Sequence, residues 1–146
     1  MDPSHQHVPD PNGRSLRLVV VTPEATLLDE SADFVALPLF DGEIGIAPLH
    51  SPLIGRLGFG EMRQVVGGRT RHFYVDGGFV QVVDNVVSVL TNRAMPATSL
   101  DRAVAAEHLA AARNRPVHSP EQMAIRDRVE TQARAQLRVA RHADQP

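Results

Sequence analysis

The stretch Gly67-Gly68-Arg69-Thr70-Arg71-His72-Phe73-Tyr74-Val75-Asp76-Gly77-Gly78-Phe79-Val80-Gln81-Val82-Val83-Asp84-Asn85-Val86-Val87-Ser88-Val89-Leu90-Thr91 decides the fold class. Its apolar runs are short, rich in Val and cut by Gly-Gly, Asp-Gly-Gly and Asp-Asn. Such pairs tolerate positive φ and suit tight turns between strands. The reading is strands over Thr70–Val75, Phe79–Val83 and Val86–Thr91. Working outward, the same texture runs from Ser15 to Ala97. Further strands are expected at Leu16–Thr22, Thr26–Glu30, Asp33–Pro38, Ile44–Ile46, Pro52–Leu57 and Glu61–Val66, with Gly58-Phe59-Gly60 separating the last two. Turn signals at this spacing point to an all-β sandwich or barrel of about nine strands, mostly antiparallel.

Beyond residue 97 the periodicity changes. Thr98 and Ser99 are candidate N-caps for a first helix carrying Leu100, Ala103, Val104, Leu109 and Ala110. Asn114-Arg115-Pro116 ends it. Ser119-Pro120-Glu121-Gln122 opens a second helix, with Ser119 as cap, Pro120 where a missing N–H costs nothing, and Gln122 completing a capping box. Ile125, Val129, Ala133, Leu137 and Ala140 mark its apolar stripe. At about 23 residues it would span about 35 Å. The expected organisation is a disordered tail over 1–14, a β-sandwich over 15–97 and a two-helix hairpin over 98–146. The Ala-rich hairpin buries little area and should be held less firmly than the sandwich.

Composition closes several routes. With 146 residues, 42% of them hydrophobic, there is one domain with a real core. A net charge of −2 argues against nucleic acid as the main partner. The absence of Cys removes disulfides, thiolate metal sites and thiol nucleophiles. The chain has neither an apolar run long enough to span a bilayer nor a signal peptide, which predicts a soluble, cytoplasmic protein. Of seven His, His5 and His7 fall in the tail, while His50, His72, His108, His118 and His142 show no ligand spacing. No metal site is expected from that pattern. His50 and Ser51 are mere neighbours, and adjacent strand residues point to opposite faces. There is no phosphate-binding glycine loop, and nothing places two of Glu24, Glu30 and Glu43 in one cleft. No catalytic residue and no cofactor is expected.

One loop remains unusual: Asp41-Gly42-Glu43-Ile44-Gly45-Ile46-Ala47-Pro48-Leu49-His50-Ser51-Pro52-Leu53, where Gly and Pro specify a stiff path. The pattern Gly42-Glu43-Ile44-Gly45-Ile46-x-Pro48-x-His50-x-Pro52-Leu53 resembles the signature of the F-type ATP synthase epsilon subunit. Asp76-Gly77-Gly78-Phe79-Val80, Asn85-Val86-Val87-Ser88-Val89-Leu90, Leu100-Asp101 and Ala135-Gln136-Leu137-Arg138-Val139 match other family segments in order. The resemblance covers about Leu16 to His142. It implies about ten strands in two sheets followed by a C-terminal helical hairpin.

In function it implies a non-catalytic rotor subunit that couples gamma to the membrane c-ring for ion-gradient-driven ATP synthesis. Such a subunit would be peripheral, on the cytoplasmic side of the inner membrane. By the same resemblance Asp41, Gly42 and Glu43 would contact the c-ring, and Gly45, Ile46, Pro48 and His50 would run toward gamma. The hairpin of bacterial relatives can extend toward the catalytic beta subunit and block hydrolysis. Arg134, Arg138 and Arg141 share one helix face suited to acidic residues there; intrahelical pairing such as Glu130 with Arg134 is the alternative use. The family's ATP-binding pattern is incomplete, because Val104 stands where an Arg is needed and Arg102 points elsewhere. ATP binding is therefore not expected. The competing class is a small ligand-binding β-sandwich module or enzyme with His50 and His72 at its site. It would need an enclosed polar pocket, whereas a rotor subunit needs an exposed apolar face. A free-standing coiled-coil module would need heptads that the hairpin lacks.

Overall fold

Two long strands carry the architecture, and both bend at glycine. The computed structural model describes residues 13–143; the His5 and His7 reading and most of the expected tail lie outside them. Strands β5 (Leu53–Val66) and β6 (Arg69–Val83) form a hairpin closed by Gly67-Gly68, with φ of 58° and 76°. The expected turns at Gly58-Phe59-Gly60 and Asp76-Gly77-Gly78 are not chain reversals. Both stretches lie inside continuous strands, and the ladder stays in step from Leu53 opposite Val82 to Val66 opposite Arg69, omitting only Gly58 and Gly77.

What changes at the glycines is the face. Val80 and Val82 point into the core on one side of the bend, Phe73 and Val75 on the other; on β5 the switch is from Leu57 to Met62. Side chains alternate with period two, so a change of parity means that the strand turns over. Gly77 and Gly78 take φ of 69° and 108°. A Cβ on Gly78 would meet the Leu90 carbonyl oxygen at 1.9 Å. Because β5 bends at the same level as β6, the hydrogen bonds survive the turn-over.

The remaining strands are β1 (Leu16–Val21), β2 (Thr26–Ala32), β3 (Phe34–Leu39), β4 (Gly42–Ile46), β7 (Val86–Leu90) and β8 (Ala94–Pro96). Their order is β2-β1-β7-β6-β5-β3-β4, with β8 pairing on β6 beyond its bend. β1 and β7 are parallel. This is one bent, hydrogen-bonded sheet of eight strands, seven along that path and β8 beside it, in place of about ten in two sheets. Two pairs of expected strands merge, and the short β8 is added. The sheet encloses a single core of Leu16, Leu18, Val35, Leu37, Ile46, Val80 and their neighbours. Across it, the buried Gln64 of β5 donates to Glu30 Oε2 and the Ser31 carbonyl of β2, both at 3.1 Å. The sandwich is thus stitched by a satisfied polar group as well as packing.

A short 3-10 turn, Ala97–Ser99, leads into α1 (Arg102–Arg113). The cap of α1 is Asp101, not Thr98 or Ser99: its carboxylate accepts from the Ala103 and Val104 amides at 2.9 and 3.2 Å. The 3-10 turn uses up the two candidates, and a carboxylate also suits the positive helix end. α2 (Pro120–His142) has 23 residues and starts at Ser119, whose Oγ accepts from the Gln122 amide. Gln122 Oε1 in turn accepts from the His118 amide, one residue earlier than a capping box requires. α1 packs on α2, and α2 on β5 and β6.

Candidate functional site

The Gly/Pro loop divides into a hairpin and a pinned corner. Phe40 and Asp41 form the two-residue turn between β3 and β4. Asp41, Gly42 and Glu43 are exposed at its tip, and Glu43 Oε1 accepts from Arg63 Nη2 at 2.7 Å. Gly45 leaves room for the Phe34 ring, which a Cβ there would meet at 2.6 Å. Ile46 corrects the expectation of a partner contact: it is fully buried opposite Val35 and belongs to the core. Its alternation on β4 turns it inward, so it positions the corner from beneath.

After Ile46 the backbone leaves the sheet. Pro48 and His50 are half-buried, and the His50 ring donates from Nδ1 to the Ser51 carbonyl at 2.7 Å. Between them Leu49 takes φ of 66°, uncommon for a non-glycine residue, with 81% of its surface exposed. Its amide donates to Asn85 Oδ1 at 2.6 Å. Asp84 and Asn85 form the β6–β7 turn with φ of 49° and 63°. Both central residues at positive φ make this a tight hairpin turn matched to strand twist. The side chain of that turn holds the corner, and the sequence reading missed the link.

Beside the corner lies an apolar face. Ile54 is 77% exposed and Phe79 59%, and Phe40 and Leu90 are also more than half exposed. Phe79 pairs with both Arg56 and Leu90 across the sheet. The Arg56 guanidinium stacks 5.6 Å from the Phe40 ring centroid. Phe40, Arg56, Phe79 and Leu90 edge an open surface groove of about 1140 Å³ that runs on to Arg128 and Thr131 of α2. It is a groove, not the enclosed chamber that a small-molecule enzyme would need. His50 and His72 do not come together: His50 is on the corner, and His72 faces the helical hairpin.

The hairpin is held along α2. Ala135 and Val139 pack with Tyr74, Ala97, Phe59 and Met95. Next to this seam the buried Asp76 accepts on Oδ1 from the Tyr74 hydroxyl at 3.0 Å and from Gln132 Nε2 at 2.9 Å. Burial first, and the Asp76 charge second, push the Tyr74 hydroxyl well above its ordinary pKa. Arg134, Arg138 and Arg141 are all exposed. Arg134 pairs with Glu130 at 2.6 Å, and Glu130 also meets Arg113 of α1 at 3.3 Å. Arg138 lines a cleft of about 340 Å³ between α2 and β4, which Gly42 and Glu43 also line. At the end of α2, His142 meets the Glu61 carboxylate beside His72. No sequence signal marked that cluster.

Comparison with known proteins places this geometry. Residues 15–97 match the family model for the ATP synthase, Delta/Epsilon chain, beta-sandwich domain. The chain is 55% identical over 128 residues to an ATP synthase epsilon chain of Rhodopirellula baltica, covering 87% of this chain and 99% of that one. It is 46% identical over 95 residues to the epsilon chain of Desulfitobacterium hafniense, covering 64% and 72%. Among solved structures, a chain of the Euglena gracilis mitochondrial ATP synthase superposes with a TM-score of 0.70 at 22% identity, over 97% of this chain and 86% of that one. A chain of the Tetrahymena thermophila mitochondrial enzyme, from its central stalk and c-ring, gives 0.66 at 12% identity over 86% and 96%. The structural likenesses carry the fold, and the sequence relatives carry the lineage: the chain belongs to the ATP synthase delta/epsilon family, among its epsilon chains.

Proposed function

We propose that the chain is the rotor subunit that joins the gamma subunit to the c-ring, transmitting torque without bond chemistry of its own. The observation that carries this reading is the exposed apolar face of Phe40, Ile54, Phe79 and Leu90 on a sandwich whose core is already filled. An uncovered apolar surface of this kind marks a protein partner. Gamma is the partner that suits it. Gly45, Pro48 and His50, with the exposed Leu49 between the last two, would run toward gamma, and Asp41, Gly42 and Glu43 at the tip of the β3–β4 turn would meet polar loops of the c-ring. That the Tetrahymena neighbour is described as central stalk and c-ring supports the assignment. No described helix is long and apolar enough to cross a membrane, which suits a subunit held peripherally through the complex, on the cytoplasmic side.

The test is co-purification. Ile54→Glu with Phe79→Glu places two charges on the face without touching the core. The doubly substituted chain should fold normally and fail to recover gamma and the catalytic subunits from membranes. Undiminished recovery would reject this face as the docking surface.

We further propose that the hairpin detaches, extends along gamma and inhibits hydrolysis through Arg134, Arg138 and Arg141 against acidic residues of the beta subunit. Two features support it. The three guanidinium groups face solvent, and the seam that holds α2 combines small apolar residues with a few polar bonds.

A further inference from the structure

Glu61 of β5, His72 of β6 and His142 at the end of α2 each offer one ligand atom, and the three atoms lie within 4.8 Å of one another. His72 Nδ1 is 3.3 Å from Glu61 Oε1, and His142 Nδ1 contacts Glu61 Oε2. The first contact lacks hydrogen-bond alignment: His72 Nδ1 is buried and has no hydrogen-bond partner. A buried polar atom left in that condition costs free energy unless something else satisfies it. The Glu61 side chain is itself only 11% exposed, so water competes poorly for it.

Two imidazoles and one carboxylate are a ligand set for zinc-class cations. Around a tetrahedral ion with bonds of about 2.0–2.2 Å, ligand atoms stand ~3.4 Å apart. The Glu61–His72 separation of 3.3 Å already has that value, and no two of the three ligand atoms are more than 4.8 Å apart. Among the described residues the one arginine paired with Glu61 is Arg63, with Nη1 3.6 Å from Glu61 Oε1; its other nitrogen is engaged by Glu43 at 2.7 Å and can hold it there.

We propose that Glu61, His72 and His142 form a divalent-cation site of the zinc class that staples the end of α2 to strands β5 and β6. The three residues come from the sandwich and from the hairpin, so a bound ion closes across the seam and stabilises only the docked arrangement. Water would complete the coordination on the exposed His142 side. This proposal stands apart from whether the hairpin inhibits hydrolysis.

The test uses the full chain with His5→Asn and His7→Asn, which removes the tail's own imidazoles. Titration with zinc chloride should give one ion per chain with an affinity on the order of micromolar, and cobalt(II) should show the intense visible bands of four-coordination. His142→Ala, at the exposed helix end, should fold and lose at least ~10-fold in affinity, as should Glu61→Gln. Zinc should also slow trypsin cleavage within α2 of the parent chain and leave the His142→Ala rate unchanged. No saturable binding below millimolar zinc, or equal affinity in His142→Ala, would overturn the site. Binding without slower cleavage would overturn the staple.

Discussion

The Leu49 amide donates to the Asn85 side chain at 2.6 Å, across 36 positions of sequence. One turn residue thereby satisfies the backbone of a separate loop, and both residues sit at positive φ. Asn tolerates that conformation better than most residues and supplies the acceptor as well. Asn85→Ala loses both and should destabilise the chain by about 2 kcal/mol. Asn85→Gly keeps the turn and loses only the side-chain bonds, from the Leu49 amide and to the Gly13 carbonyl at 3.4 Å, at about 1 kcal/mol. Urea unfolding of the three proteins checks the order. If Ala and Gly cost the same, the backbone argument fails.

Gly78 gives a larger effect. A Cβ there would sit 1.9 Å from the Leu90 carbonyl oxygen, and backbone on β7 cannot yield as a side chain would. Gly78→Ala should cost more than about 4 kcal/mol, or abolish folding, because the clash adds to the φ of 108°. Gly67→Ala, at φ 58° with open space around it, is the control, at about 1 kcal/mol. Circular dichroism during thermal melting separates the two. Equal melting temperatures would mean that the bend in β6 relaxes freely.

These glycines also mark how much of the fold the sequence discloses. Local chemistry reads well: the Val-rich alternation gives strands, and Ser119-Pro120 gives the start of α2 to the residue. Asp76-Gly77-Gly78 reads as a turn because the same φ values that reverse a chain also turn a strand over. The distinguishing sign was present as a parity switch, Phe73 and Val75 against Val80 and Val82. It acquires meaning only once β5 is known to bend beside it. The Glu61–His72–His142 cluster is harder still. Its members are separated by 11 and 70 positions, and only the docking of α2 brings them together. Ile46 fails as a contact for the same reason: a motif names residues, and the pleat decides which of them face out.

Tyr74 allows a direct reading of the hairpin seam. It is the single tyrosine, so tyrosinate absorbance reports it alone. Burial and Asp76 raise its pKa in the folded state above the ordinary ~10. The sign follows from linkage: the unfolded chain releases this proton first, so stability is fully present below about pH 10 and declines as pH rises past it toward the folded pKa. The folded protein should show no tyrosinate signal at about pH 10.5, whereas urea-unfolded protein should show most of it. Gln132→Ala should leave the tyrosine buried and weaken the seam by about 1 kcal/mol. A folded chain ionising at the ordinary pKa would show that α2 is undocked in solution.

ATP should not bind. The first-turn amides of α1 that could receive a phosphate already donate to the Asp101 carboxylate, and that negative charge repels another anion. The guanidinium that could offset it is absent at Val104. Calorimetry with ATP and magnesium should give no heat beyond dilution. Saturation at micromolar ATP would require a site elsewhere on the hairpin and would refute this account.

Removing Arg134 and Arg138 tests the inhibitory hairpin without unfolding it. Arg134 forms an exposed pair with Glu130, which contributes only about 0.3–0.5 kcal/mol. Arg138 is exposed and lines the cleft between α2 and β4 without a charged partner within salt-bridge distance among the described residues. Arg134→Ala with Arg138→Ala should therefore leave the docked hairpin and its melting temperature nearly unchanged. Its effect should fall on the extended state, where each guanidinium would meet a carboxylate in less water and contribute more than it does here. Hydrolysis by the purified complex should rise several-fold on that basis, about 1 kcal/mol of lost inhibitory contact. The isolated chain's stability is the internal control: higher hydrolysis with an unchanged melt assigns the charges to the extended state. Unaltered hydrolysis would leave Arg134 and Arg138 as solvated groups of a helix that stays down.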